Sequence, residues 1–586
     1  MSALLDKYTA LSGKSSRDDV FKALKGIEDA SPLQVKDGER IRLVNALLDD
    51  LNKLKKGKDT SRLDISDAAQ ALGALKSLGK HPSGARILAQ KDNLSFLLAL
   101  SETYYKENLD AALESLRCIA NSMLLVEEAR RTLIGEDIKG GDIALRLLEK
   151  SNSPDTIFLS SRILFLATAS SAHGGPLVIQ FVDEKGALEI IATRIDSLLV
   201  SILAGTKMAR EALTDLLKFS YNLLAHYPKI GDSELVQDFG CGDEQRWSAK
   251  LDVLLPPALR AFNALPPTPN TPLAAPLTHV IHALIEIPVT PKNRSTWLPT
   301  ATPERRSGSS SSRPSPTQTP ADLSGTAPSS PKEGKTGALD RAMSMLHAGR
   351  RSFSSRPSSP NPAMPRPCPT DTAMHAADLL DSALAHYIPG AVEPDDPSVR
   401  SRIQNEAKAT LDEHLCPLVV LLAKFARADD ACRAKLKEWV VPANLDRTIP
   451  LAEREDTLGR LLRCLPSVYH PRLKACVGEF LFACCNQDSM QMISAFGYGS
   501  VAGFLFNKGI VTGPPSGVEE VHPNATINPI TGAIQQPQQD ADEMTEEEKE
   551  AEAERLFVLF DRLERTGAIP PSANPVRQAM RRAAES

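Results

Sequence analysis

Four basic residues, Lys76, Arg117, Arg162 and Lys218, stand in leucine-rich stretches, and each has a further basic, amide or aromatic residue three or four positions on: Lys80, Asn121, Phe165 and Asn222. Cations can hold a carboxylate through charge-assisted hydrogen bonds, and asparagine amides can bond the backbone of a bound segment. The chemistry open to such a column is therefore recognition of an acidic helix or a chain terminus, with no bond made or broken. The pattern is plainest in Glu114 to Asn121, ESLRCIAN. Ordinary solvated charges on helix faces produce the same pattern, and periodicity alone leaves both readings open.

No stretch advertises catalysis. Gly13-Lys14-Ser15 resembles the end of a phosphate-binding loop, but Tyr8 stands where its first glycine belongs and no apolar strand precedes it. His279 and His282 share a helix without an acid, base or nucleophile in a recognisable spacing. The nine cysteines are scattered among leucines without CxxC pairs, which reads as buried thiols and no metal site. The chain is expected to be no enzyme and to need no cofactor.

Positioning such a column requires repeated helices. The steps between Lys76, Arg117 and Arg162 are close to the ~40 to 47 residues of armadillo and HEAT repeats, whose units bury their apolar faces only by stacking on neighbours. Residues 17–58 read as two amphipathic helices, and from Leu63 to His226 helical runs alternate, with Gly140-Gly141 and Gly174-Gly175-Pro176 as the plainest breaks. The column would then line a groove, one rung per repeat. The fold class is all-α: an armadillo/HEAT-like solenoid with a disordered insertion and a C-terminal tail helix.

The expected divisions are N-terminal repeats over 1–290, a Ser/Pro/Arg-rich insertion over 291–370, C-terminal repeats of the same solenoid over 371–510, and a mostly flexible tail over 511–586. The insertion has too few large apolar residues to offset the entropy of ordering. Within it Ala338 to His347 shows a short helical pattern, and Ser352 and Ser354 follow Arg350-Arg351 in a kinase-accessible setting. Termination of the repeats is expected to begin at Phe496-Gly497-Tyr498-Gly499 and to continue through Gly503, Gly509 and Pro514-Pro515. In the tail, Thr545 and Glu548 form a capping box for a helix over about 545–566, with an apolar stripe of Leu556, Leu559, Phe560 and Leu563 and Phe557 beside it. That stripe needs cover, from the solenoid or from a partner.

A formal net charge of −5 argues against a dedicated nucleic-acid binder. No run of about 18 apolar residues spans a bilayer, and the N-terminus lacks a secretory pattern. The default compartment is the cytoplasm.

Pro471 to Gly509, PRLKACVGEFLFACCNQDSMQMISAFGYGSVAGFLFNKG, resembles the C-terminal repeats of the synembryn family, also called resistance to inhibitors of cholinesterase, in its EFLF helix (Glu479 to Phe482) and GYGxxAGxL element (Gly497 to Leu505). SLRCIAN, SRILFLAT (Ser161 to Thr168) and Asn528-Pro529-Ile530-Thr531-Gly532 add to the likeness in the family's order. The resemblance implies a guanine-nucleotide exchange factor and folding chaperone for heterotrimeric G-protein α subunits in GDP-bound, nucleotide-free or nascent form. It implies no nucleotide site of its own, a groove for the α subunit's C-terminal helix, and a monomer recruited to membranes through its partner. On that reading Lys76, Lys80, Arg117, Asn121, Arg162, Phe165, Lys218 and Asn222 make the groove contact, and Leu556, Phe557, Phe560 and Leu563 the tail contact. The long insertion departs from the animal members and reads as fungal. A generic armadillo peptide-binding adaptor without exchange activity is the alternative.

Overall fold

The computed structural model describes residues 3–31, 34–57, 60–231, 237–239, 245–266, 268, 271–299, 371–510, 546–565 and 574. The insertion beyond residue 299, with its 338–347 pattern, Ser352 and Ser354, lies outside them, as does the tail apart from its helix. The chain divides into two compact units, Met1–Pro291 with Thr370–Ser586, and Lys292–Pro369.

In chain order the helices are α1 (Ala3–Thr9), α2 (Arg17–Glu28), α3 (Asp37–Lys55), α4 (Ala68–Leu78), α5 (Pro82–Leu88), α6 (Lys91–Tyr104), α7 (Leu109–Leu125), α8 (Glu127–Ile134), α9 (Gly140–Lys150), α10 (Pro154–Thr168), α11 (Ser171–Asp183), α12 (Ala187–Leu203), α13 (Ala209–Ile230), α14 (Leu255–Ala264) and α15 (Leu277–Glu286). The turn α16 (Arg294–Trp297) belongs to the second unit. The first unit resumes with α17 (Thr372–Tyr387), α18 (Pro397–Ala407), α19 (Leu411–Ala428), α20 (Asp430–Val440), α21 (Thr457–Cys464), α22 (Pro471–Cys484), α23 (Ser489–Phe496), α24 (Tyr498–Asn507) and α25 (Glu546–Arg565). A short antiparallel ribbon pairs β1 (Gln237–Phe239) with β2 (Gln245–Trp247), with Asp238 opposite Arg246.

Local chemistry starts these helices where they start. Asn108 accepts from the Ala111 N–H to cap α7, Pro154 opens α10 where no N–H is needed, and Thr410 and Glu413 close a reciprocal capping box on α19. Stacking then follows from apolar faces that one helix pair cannot cover. α2 packs on α4, α4 on α7, α7 on α10, α10 on α13, α13 on α15, α15 on α19 and α19 on α22. This ladder is the spine of the first unit. A second layer covers it: α3 and α5 by α4 and α7, α6 on α7, α9 on α10, α12 on α13, α14 on α15 and α17 on α19. α10 is apolar on several sides, burying Ile157, Leu159, Ile163, Leu164 and Leu166, because it lies between α7, α9 and α13. The architecture is the all-α helical-repeat solenoid that the spacing predicts.

The ladder continues across the insertion through α15 and α19. Lys424 of α19 donates to the carbonyls of Leu284 at 3.0 Å, Ile285 at 2.6 Å and Ile287, carbonyls at the end of α15 that lack intrahelical donors. No helix among the described residues is long and apolar enough to cross a membrane.

One predicted break is not a break. Gly174-Gly175-Pro176 lies inside α11, where a Cβ on Gly174 would stand 2.6 Å from the Ala167 carbonyl; the glycine permits close approach to α10 and the chain does not turn there. Pro176 leaves only the carbonyl of exposed Ala172 without its helical donor, which water can satisfy. Of the series of glycines expected to terminate the repeats, Gly499 and Gly503 still lie within helical structure. Gly497, at φ 81°, only separates α23 from α24, and α24 runs through Gly499 and Gly503 to Asn507.

Candidate functional site

The ladder brings most of the basic column onto consecutive helices, one rung each on α4, α7, α10 and α13. The residues between them on the same faces are acidic. Lys76 lies 2.8 Å from Glu114 of α7 and 3.9 Å from Glu28 of α2. Arg117 donates to Glu114 at 2.7 Å and to Asp155 of α10 at 3.3 Å. Arg162 reaches Asp215 of α13 at 2.6 Å, and Lys218 meets the other oxygen of the same carboxylate at 3.1 Å. The column is thus a seam of alternating charge from α2 to α13 and not a row of free cations.

Burial along the seam is uneven. The Asp215 side chain is 2% exposed, while Arg162 and Lys218 are 42% and 30% exposed. The carboxylate is the fixed point and the cations lie over it with one side in water. Aromatic rings lie under their charged heads: the Arg162 guanidinium lies 4.4 Å from the Phe158 ring, and the Lys218 ammonium 5.8 Å from Phe165.

Asn222 differs from its predicted role. Its Nδ2 donates to the Phe165 carbonyl and to Thr168 Oγ1, both at 3.0 Å, and it is buried, so it ties α13 to α10 and has no amide donor facing outward. Asn121, four residues after Arg117 and therefore on the same face of α7, is half-buried. Lys80 is not on the α4 face. Pro82 opens α5 and keeps the residue before it out of helical geometry, so α4 stops at Leu78 and Lys80 lies exposed in the turn.

The seam extends onto α15 with residues that the sequence reading set aside. Burial pushes His279 down to about 4, with Lys218 and His282 acting in the same direction and Asp215 against them. His282 is also pushed down by burial, and its ring meets Tyr221 of α13 edge-on at 6.3 Å. Burial and a hydrogen bond to Glu286 raise Tyr221. The spacing of His279, His282 and Glu286 at i, i+3 and i+7 marks one helix face, which is the signal that was available. Beyond α15, Arg427 of α19 pairs with Glu479 of α22 at 2.6 Å, and Lys508 pairs with the other Glu479 oxygen.

The EFLF and GYGxxAGxL elements meet here. Gly478 precedes Glu479 because Phe504 of α24 sits against it; a Cβ would lie 2.1 Å from that ring. Among the described cysteines, Cys476 is half-buried and the rest are buried, and burial pushes Cys464 up to about 12 and Cys485 to about 11, so these thiols are poor nucleophiles. No cluster of metal-ligating groups occurs among the described residues. On α25, Leu556 and Phe557 are exposed, while Phe560 and Leu563 are half-buried.

A stack of paired helices, each pair burying its apolar face on the next, is a helical-repeat protein of the armadillo and HEAT kind. Comparison with known proteins narrows the class: over residues 71–584 the chain matches the family described as "Guanine nucleotide exchange factor synembryn", and it belongs to that family. Chaperone Ric-8A of Macaca fascicularis is 34% identical over 174 residues, 28% of this chain and 32% of that protein. The Mus musculus and Xenopus laevis proteins of the same name are 35% and 33% identical over the same length and shares. The chain therefore spans about a third of the length of the curated relatives it matches. A solved engineered protein is similar over 87% of this chain and 92% of its own at 12% identity and a TM-score of 0.39, a likeness that carries no argument.

Proposed function

We propose that this chain is a guanine-nucleotide exchange factor and folding chaperone for heterotrimeric G-protein α subunits, taking the subunit's C-terminal helix on the seam of α4, α7, α10 and α13. The observation that carries the reading is the family match over residues 71–584. The name Chaperone Ric-8A of its relatives supports the second activity. The seam fits the role because each cation already holds a protein carboxylate. A partner's carboxylate exchanges for Glu114 or Asp215, which selects register more than it adds affinity.

Exchange needs no nucleotide site and no catalytic residue in this chain. A protein that binds the nucleotide-free subunit more tightly than the GDP-bound one weakens GDP by the same factor. Holding a partly folded subunit by its last helix also shields apolar surface that would otherwise aggregate. Arg117, Asn121, Arg162, Phe165 and Lys218 make the contact, with Lys76 at its edge, while Leu556, Phe557, Phe560 and Leu563 of α25 meet the subunit's body. The protein acts as a cytoplasmic monomer, brought to membranes by its partner, and phosphorylation at Ser352 and Ser354 tunes it.

The test is GDP release from a purified α subunit with and without the full-length chain. Faster release that is lost with Arg117→Glu and Asn121→Ala together supports the reading. Release unchanged by the wild-type chain, with binding retained, leaves a peptide-binding adaptor instead.

A further inference from the structure

Away from the ladder, one loop is held with unusual economy. Asp395, between α17 and α18, accepts from Ser467 Oγ at 2.5 Å, the Val468 N–H at 2.8 Å and the Tyr469 N–H at 3.3 Å, and His470 Nε2 lies 3.2 Å from the Pro394 carbonyl. These contacts fix residues 467–470, between α21 and α22, against residues 394–395. The fixed loop nonetheless displays two large apolar side chains: Val468 is 71% exposed and Tyr469 59%. Arg400 of α18 stacks on the Tyr469 ring with its guanidinium 4.1 Å away. A tyrosine and an arginine on rigid backbone make a ledge of the kind that anchors binding, since little freedom remains to be lost.

An ion pair ties the tail helix to the loop that braces this ledge. Arg562 of α25 lies 3.9 Å from Glu393, both half exposed. Glu393 is two residues from Asp395, at most about 7 Å along the chain. On α25 the apolar residues Leu556, Phe557 and Val558 are exposed. Val558 precedes Arg562 by four residues and shares its face, and the three lie about 6 to 9 Å from Arg562 along the helix. Both sets of apolar side chains are uncovered in the structure, and an ion pair links the helix that carries one set to the loop that braces the other.

We propose that the Val468–Tyr469–Arg400 ledge is the docking site of this chain's own tail helix, pinned by the Glu393–Arg562 ion pair and closed by seating Phe557 and Val558 on Val468 and Tyr469. The ledge holds α25 beside the C-terminal end of the ladder in the free protein. Nothing in the proposal needs a partner or an exchange activity, so it stands or falls separately from the function above.

Hydrogen exchange of the full-length protein, read over residues 553–565, tests it. Val468→Ser with Tyr469→Ser, and separately Glu393→Arg, each speed exchange of these amides at least about fivefold. Glu393→Arg combined with Arg562→Glu restores protection, which damage to the fold would not do. Unchanged exchange in the ledge variant or in Glu393→Arg, or no restoration by the charge swap, overturns the docking.

Discussion

Asn222→Ala separates a cross-helix tie from a partner-facing amide. Its Nδ2 makes two 3.0 Å bonds, to the Phe165 carbonyl and to Thr168 Oγ1, and only 7% of the residue is exposed. Each such bond contributes about 1 kcal/mol net, so truncation costs the α10–α13 contact about 2 kcal/mol. A repeat array unfolds by propagation between neighbours, so a single melting temperature would blur this loss. Native-state hydrogen exchange of α10 and α13 reads it locally, and about 2 kcal/mol corresponds to roughly 30-fold faster exchange where opening of that contact governs it. Asn222→Asp should be at least as damaging, because it sets an oxygen against two acceptors and leaves only the Thr168 hydroxyl able to turn and donate. Asn121→Ala, at a half-buried site, should change exchange of α7 by less than about threefold. Equal and small effects of Asn222→Ala and Asn121→Ala would refute the assignment of Asn222 as a tie.

Asp215→Asn removes the carboxylate shared by Arg162 and Lys218; with both cations partly in water the cost is about 1 to 2 kcal/mol, and calorimetry should find tighter, more salt-sensitive binding of an acidic peptide. Unchanged peptide affinity would show that the cations were never occupied by Asp215. His279 should make the protein acid-sensitive. The unfolded chain takes up this proton below its ordinary value of 6.5 and the folded chain only below about 4, so stability is lost as pH falls through that window, by up to about 3 kcal/mol. Urea titrations at several pH values should show a shallower slope in His279→Gln. Gly478→Ala puts a Cβ 2.1 Å from the Phe504 ring and should cost about 1 to 3 kcal/mol, read as faster proteolysis of α23 and α24, with partial relief by Phe504→Leu.

The ladder was legible because leucine spacing reports burial directly, residue by residue along one chain segment. The seam was legible only in part: Arg117–Glu114 and Lys218–Asp215 are i,i+3 pairs on one helix, but its other bonds join segments that periodicity treats separately. Arg162 and Asp215 are 53 positions apart, and Asn222 and Phe165 are 57 apart. The column therefore read as cations in search of a partner when their counter-charges were already on the same helix or one repeat away. Gly174-Gly175-Pro176 failed for a related reason. Glycine marks either a turn or a close approach, and only the position of the Ala167 carbonyl on α10 decides between them. His279 and His282 lack catalytic spacing, a criterion that says nothing about recognition.

Compensated charge changes what the seam can do on the exchange reading. A row of bare cations would attract any acidic segment, with strength falling steeply in salt. In the paired seam a ligand gains only the difference between its own carboxylate and Glu114 or Asp215, so a mismatched segment gains nothing and displaces nothing. Asp215 is the stricter of the two, since its buried carboxylate cannot follow Arg162 outward. A helix that engages Arg162 must leave Asp215 to Lys218 alone, and the bonus for doing so rises only if the same helix also satisfies Arg117 one rung earlier. Discrimination by register between neighbouring rungs follows from that coupling, and a double-mutant cycle between Arg117→Ala and Arg162→Ala should show non-additive losses in partner affinity. Strict additivity would mean that the rungs act alone and that the seam is only a set of structural ion pairs.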